Sequence, residues 1–227
     1  MNLHFITSIS KEYWYSTAKY CINTWNLPGK ITVFIDQQHG DLDWLSEVPY
    51  HKHLLSVPKL KVDEFTDVAK VRKFWGKTCS QIIAVKNREE NERVIWIDSD
   101  VEQLSQISAS LFNFNFNEPV AALNSQHPED SWETGLVIFN QQNGKLNQFI
   151  KVYEKSWNDE DILTSVWKPY DAPVFGYVAE MRGFYNLCDS PCKNLNALEH
   201  SRFSPYLKHH INKTNKQKLN DNCNDLS

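Results

Sequence analysis

Along the chain, short apolar runs alternate with longer stretches of helical spacing. Leu3-His4-Phe5-Ile6-Thr7 and Ile31-Thr32-Val33-Phe34-Ile35 predict two strands, the second ending at Asp36. Between them Ser10 stands at an N-cap position, and Lys11 to Trp25 carries helical spacing through Tyr13, Ala18, Cys21 and Ile22 until Pro28-Gly29 stops it. Strand, helix and strand with short joints predict a right-handed βαβ unit. The segment Asp41 to Leu60 gives no clear periodicity. Phe65 to Val85 predicts a long helix with a buried stripe of Val68, Val71, Trp75, Cys79 and Ile82.

The most apolar stretch is Val94-Ile95-Trp96-Ile97, followed at once by Asp98-Ser99-Asp100. An unbroken apolar run predicts a strand buried on both faces. Farther on, Glu102 to Leu111 predicts a short helix. Phe112 to Asn117 alternates like a half-buried strand or edge turn, and Val120 to Leu123 predicts a strand. Glu133-Thr134-Gly135-Leu136-Val137-Ile138-Phe139-Asn140 predicts another strand, with Gly135 at a point where a ligand can approach the backbone. Helices are predicted over Lys145 to Trp157, Asp159 to Trp167 and Pro173 to Met181. Short strands are predicted over Phe184 to Leu187 and Leu195 to Leu198, with His200 just beyond. The expected architecture is one α/β domain over 1–212, Rossmann-like, with a mostly parallel central sheet flanked by helices. A polar, flexible tail is expected over 213–227.

Composition narrows the function. A formal net charge of −4 argues against nonspecific nucleic-acid binding. The five cysteines are scattered, and Cys188 and Cys192 have no partner pair at zinc-site spacing, so free thiols in a reducing cytosol are expected. No apolar run has transmembrane length and the N-terminus lacks signal-peptide organisation, which leads to an expectation of a soluble cytoplasmic protein.

The chemistry concentrates at Asp98 and Asp100. Residues two apart on an extended chain point the same way, and ligands of open α/β sheets bind beyond the strands' carboxyl ends. Clustered carboxylates repel unless a cation or proton offsets them. An all-oxygen pair favours Mg2+ or Mn2+, ions that also accept phosphate oxygens, although strand-end aspartates also serve simply as turn caps. Thr7 and Ser8, after the first strand, offer hydroxyls to a base or ribose, or cap the next helix. Arg72 falls inside the buried helical stripe, where a cation needs a carboxylate, a route to solvent or a diphosphate. Lys77 lies on the more polar face, where a solvated lysine is expected.

The βαβ half, the long helix, "VIWIDSDV" and then "ETGLVIFN" resemble the GT-A-fold glycosyltransferases, from about Leu3 to the His-rich end. The resemblance implies that Asp98 and Asp100 bind a divalent metal, usually Mn2+, and that Asp98 and Ser99 adjoin the ribose or diphosphate of a nucleotide-sugar donor. It implies that Arg72 and Lys77 face the donor, and that Glu133, Thr134, Gly135 and Asn140 line the donor-sugar and acceptor pocket. Asp171, in "YDAPVF", resembles an acidic residue near the reacting centre; Asp171 and Glu133 are the candidate bases for an inverting reaction, whereas retention needs none. A C-terminal histidine completes the metal shell in such enzymes. His200 is the first candidate, with His209 and His210 as competitors. UDP is the base implied by the family; the acceptor is an unspecified glycan, lipid or small molecule. Two other readings stay open: a nucleotidyltransferase, against which the absence of glycine in Thr7-Ser8-Ile9-Ser10 counts, and a noncatalytic nucleotide-sugar-binding module.

Overall fold

A computed structural model describes residues 1–36, 42–60, 68–125, 132–140, 144–166, 170–189 and 196–210. The chain opens with β1 (Asn2–Ile9), longer than the sequence predicts, so that Thr7 and Ser8 lie within the strand. Ser10 caps the next helix, accepting a hydrogen bond from the Tyr13 backbone amide at 3.3 Å. That helix is continuous through α1 (Lys11–Tyr13), a π-helical turn (Trp14–Ala18) and α2 (Lys19–Asn23). Then come β2 (Lys30–Asp36), β3 (His51–Leu55) and α3 (Val68–Lys86); any earlier start of the predicted long helix falls outside the described residues. The core strand β4 (Glu92–Ile97) is buried along its whole length.

After β4 the structure departs from the sequence reading. Glu102–Leu111 is not a helix: β5 (Val101–Gln103) pairs antiparallel with β9 (Leu207–His209), and the helical turn is a short 3-10 segment at Ala109–Phe112. The Leu104 amide donates to the Tyr206 carbonyl at 2.8 Å, so the C-terminal segment takes the hydrogen bonds that a helix would have used. Nor do Phe112–Asn117 form a strand. The buried Arg93 guanidinium donates to the Phe112 and Phe114 carbonyls and faces the Phe116 ring, which holds this stretch irregular.

The remaining elements are β6 (Val120–Asn124), β7 (Trp132–Phe139), α4 (Leu146–Ser156), α5 (Glu160–Ser165), α6 (Asp171–Arg182) and β8 (Tyr185–Asn186). Ala197–His200, which overlaps the end of the strand predicted over Leu195 to Leu198, is a 3-10 turn, and Leu195 lies outside the described residues. Cys79 is a buried free thiol, Cys21 is buried and Cys188 half-buried, while Cys192, Cys223 and the predicted tail lie outside the described residues.

The central sheet has seven strands in the order β3-β2-β1-β4-β7-β6-β8. All run parallel except β7, which is antiparallel to both of its neighbours. Apolar side chains cover both faces. Ile95 and Ile97 join Trp14, Trp25 and Phe112 on one side; Val94 and Trp96 join Trp75, Phe149 and Phe175 on the other. This two-sided burial is why β4 reads as an unbroken apolar run rather than an alternating one. It also forces the ligand-bearing groups to the rim where the parallel strands end.

Candidate active site

β4 stops at Ile97 because the next residues turn. The Val101 amide bonds to the Asp98 carbonyl at 3.0 Å, and the Asp98 amide to the Gly135 carbonyl at 2.9 Å. Asp98 and Asp100 thus converge through a turn rather than through strand alternation. β5 follows directly, and its pairing places Val101 opposite His209. That register brings an imidazole from the far end of the chain to the two aspartates. In an extended strand, successive side chains point oppositely. His209 therefore turns into the cleft, and His210 turns away to bond Glu102 at 2.9 Å.

The three groups point their atoms at one spot. Asp98 Oδ1 receives the Trp96 indole N–H and the Lys77 ammonium, each at 2.7 Å, which leaves Oδ2 facing His209 Nε2 at 3.8 Å. Asp100 Oδ2 accepts the Tyr13 hydroxyl at 2.7 Å, which leaves Oδ1 facing the same nitrogen at 3.0 Å. One ligand atom from each of Asp98, Asp100 and His209 lies within 4.8 Å of the others. Two carboxylate oxygens and an imidazole nitrogen form a donor set suited to Mn2+ or Mg2+, so the residues fit the ion that the sequence implies. His200 stands half-buried at the end of its 3-10 turn and is not part of this group.

Lys77 is buried, 8% exposed, against the expectation of a solvated lysine. Its ammonium bridges Asp98 and Asp171, at 2.7 and 2.6 Å, and donates to the Thr134 carbonyl and hydroxyl, both at 3.1 Å. The helical angle that puts Lys77 off the apolar stripe points it at this rim, where two carboxylates supply its counter-charge. Arg72 is half-buried and does not line the cleft.

The charges are tuned by these neighbours. Burial pulls the Lys77 ammonium down, but Asp171 and Asp98 outweigh it and hold its pKa above the ordinary lysine value. At Asp98 burial raises the carboxyl, Lys77 opposes, and Asp100 adds to the rise, leaving a net increase. At Asp171 burial is overcome by Lys77 and the Thr134 hydroxyl, so this carboxyl sits below the ordinary aspartate value. Burial disfavours a charged His209, yet Asp100 and Glu133 outweigh it and lift the imidazole well above its ordinary pKa. Without a metal, a proton does the work of the cation.

These groups lie in a cleft of about 420 Å³, within the range of small-molecule sites. Ser8, Ser99, Glu133, Thr134 and Gly135 line it, as the sequence leads one to expect. Besides Arg72 and His200, two further candidates do not. Thr7 is fully buried within β1, its hydroxyl without a hydrogen-bond partner among the described residues. Asn140 lies at the opposite end of the sheet, its amide donating to the Phe116 and Glu118 carbonyls at 2.6 and 3.0 Å. The cause is the reversed direction of β7, which delivers its first residues to the cleft and its last to the far rim. Trp132 and Tyr170 also line the cleft. Sequence reasoning missed Tyr13, Lys73 and Phe74, which also line the cleft; helical spacing put Tyr13 in the core and gave no signal that its hydroxyl meets Asp100.

No protein-family model matches the chain, and neither does any curated protein sequence. Solved structures do. The glycosyltransferase GlyE of Streptococcus pneumoniae TIGR4 superposes with a TM-score of 0.55 at 12% identity, over 82% of this chain and 45% of GlyE. The bifunctional glycosyltransferase WbbM gives 0.57 at 10% identity, over 97% of this chain and 50% of WbbM. The galactosyltransferase LgtC, solved with donor and acceptor sugar analogs, gives 0.57 at 8% identity, over 96% of this chain and 95% of LgtC. The chain thus spans half the length of WbbM or less than half of GlyE, and nearly all of LgtC. At such identities the likeness is one of architecture: this chain has the GT-A fold of these glycosyltransferases.

Proposed function

We propose that the protein is a metal-dependent glycosyltransferase that moves a sugar from a nucleotide-sugar donor, a UDP-sugar by preference, to an acceptor hydroxyl on a glycan, lipid or small molecule. The observation that carries this reading is the convergence of Asp98, Asp100 and His209 beside a buried ammonium, in one cleft at the carboxyl ends of parallel strands. Asp98, Asp100 and His209 would hold Mn2+ or Mg2+, which when bound supplies positive charge to the departing diphosphate.

The chain's own residues do the rest. Lys77 adds a fixed cation beside the site, holds the Asp171 carboxyl below its ordinary pKa and opposes the rise that burial and Asp100 impose on Asp98. Asp171, held by Lys77 and Thr134, is shaped to accept hydrogen bonds from sugar hydroxyls. Its depressed pKa makes it a poor base. Glu133 is committed at both oxygens, to His209 and to the Leu198 amide. With Asp171 a poor base and both Glu133 oxygens occupied, this arrangement supports retention, in which the sugar–phosphate bond breaks and the leaving diphosphate takes the acceptor proton as the new glycosidic bond forms.

The test is a thermal-shift panel of nucleoside diphosphates with and without Mn2+, paired with Mn2+-dependent hydrolysis of nucleotide sugars. Ligand binding raises apparent stability by mass action. The expected result is a metal-dependent shift, largest with UDP, and slow hydrolysis, both lost in Asp98→Ala and Asp100→Ala. Wild-type metal and nucleotide affinity in both variants would overturn the reading. Stabilisation without hydrolysis or transfer would instead leave a nucleotide-sugar-binding module.

A further inference from the structure

Glu133 occupies a position at which sequence alone offers a base, yet nothing about its surroundings suits one. It is 5% exposed. Oε1 lies 2.6 Å from His209 Nδ1, and Oε2 accepts the Leu198 backbone N–H at 3.0 Å. His209 is itself 8% exposed, and its other nitrogen faces Asp100 Oδ1 at 3.0 Å. The ring fits there because residue 135 is glycine: a Cβ on Gly135 would lie 2.7 Å from Nδ1 and 2.8 Å from Cε1 of His209.

We infer that Glu133 is the positioning residue of the metal site: its carboxylate fixes the His209 ring and tautomer, so that Nδ1 carries the proton and Nε2 presents its lone pair between Asp98 and Asp100. The inference rests on the metal reading of the cleft. Both ring nitrogens face carboxylates; when an ion takes the place of the proton at Nε2, the neutral imidazole keeps its one donor at Nδ1, against Glu133. Carboxylates bonded to metal-binding histidines act in this way, and their loss typically lowers metal affinity roughly 10- to 100-fold.

The same side chain also anchors the C-terminal segment. β9 brings His209 in, the 3-10 turn at Ala197–His200 precedes it, and Glu133 reaches both from β7. One carboxylate therefore ties 196–210 to the central sheet at two points 11 residues apart, Leu198 and His209. Metal affinity and the docking of this segment should change together when Glu133 is altered.

The experiment titrates Mn2+ into wild-type, Glu133→Gln, His209→Gln and Asp100→Asn proteins, reading free Mn2+ by electron paramagnetic resonance. Amide exchange at Leu198 is followed in the same proteins without metal. Nitrogen-15 shifts of the imidazoles are recorded in the Mg2+-loaded wild type, with His209→Gln identifying the resonance. Glu133→Gln is expected to weaken Mn2+ binding roughly 10- to 100-fold, with faster exchange at Leu198. Wild-type His209 is expected to carry its proton on Nδ1. Mn2+ affinity in Glu133→Gln within about twofold of wild type, while Asp100→Asn loses binding, overturns this inference and leaves the metal site standing. Absence of saturable Mn2+ binding in the wild type instead removes the metal reading itself. If Glu133→Gln does not fold, the wild-type tautomer decides alone: a proton on Nε2 in the Mg2+-loaded protein overturns the inference.

Discussion

Gly135 and His209 are packed so closely that no side chain fits between them: a β-carbon on Gly135 would stand 2.7 Å from His209 Nδ1 and 3.1 Å from Glu133 Oε1. Both neighbours are buried, so neither can step aside into solvent. Gly135→Ala must push the imidazole off the aspartates or shift β7 against β4. Overpacking of this kind typically costs about 1–3 kcal/mol. The expected outcome is a fall in urea-denaturation stability of that size together with weaker Mn2+ binding. A Gly135→Ala protein with wild-type Mn2+ affinity would show that the ring does not sit where the structure places it.

The buried ion pairs of Lys77 make a second prediction. Its ammonium lies between Asp98 and Asp171, and all three side chains are largely withdrawn from water. Removing one partner of a buried pair leaves charge uncompensated, an effect of about 3–5 kcal/mol. Lys77→Met should destabilise the metal-free protein by that order, measured by chemical denaturation. Adding Asp171→Asn to Lys77→Met should recover part of the loss, because one stranded carboxylate is then neutral. If the double variant is less stable by the full sum of the single effects, the two residues do not interact energetically.

How much of this was legible beforehand follows from what each element depends on. The βαβ unit, the buried strand and the Asp-x-Asp turn are local features, and apolar runs, Pro28-Gly29 and the Ser10 cap announce them. The third member of the candidate metal group is not local. It depends on β5 pairing with β9, more than a hundred residues away, and on the alternation that separates His209 from His210. Nothing in the spacing of the histidines carries that register, and the helical reading of Glu102–Leu111 hid it. Asn140 was misplaced for a related reason. An apolar strand reads the same in either direction, so the reversal of β7 is invisible until the sheet is assembled. Lys77 shows the limit of polarity patterns: a lysine off the apolar stripe faces solvent unless carboxylates from other elements meet it.

Far from the cleft, His4 couples stability to pH. Its ring lies 2.8 Å from the Thr32 hydroxyl and 3.2 Å from Glu92, largely buried at the start of β1. Burial lowers its pKa, with Glu92 opposing and Lys30 adding, and the net shift is downward. The unfolded chain, with an ordinary value of about 6.5, therefore takes up a proton before the folded protein does. Stability from this residue is fully present above about pH 7, falls as pH drops through about 6.5, and levels off below the folded value. Denaturation midpoints recorded at successive pH values should show this slope in the wild type and a smaller one in His4→Asn. Equal slopes would mean that His4 titrates alike in both states.

The last prediction concerns stereochemistry, where the proposed chemistry is most exposed to refutation. Inversion requires a base within reach of the acceptor hydroxyl. Asp171 is held ionised below its ordinary pKa by Lys77 and Thr134, and Glu133 spends both oxygens on His209 and Leu198. Asp171 is therefore a weak base, and neither Glu133 oxygen is left for an acceptor hydroxyl. Transfer should therefore keep the donor's anomeric configuration, read from the anomeric proton coupling of the product before it mutarotates. Asp171→Asn should keep that configuration as well. It should lose about 1.5–3 kcal/mol of transition-state binding, roughly 10- to 150-fold in kcat/KM, because a neutral amide replaces a charged acceptor of sugar hydroxyls. An inverted product would require a base that can be freed from its partners. Loss of transfer in Asp171→Asn, with Mn2+ and donor affinity intact, would then identify Asp171 as that base.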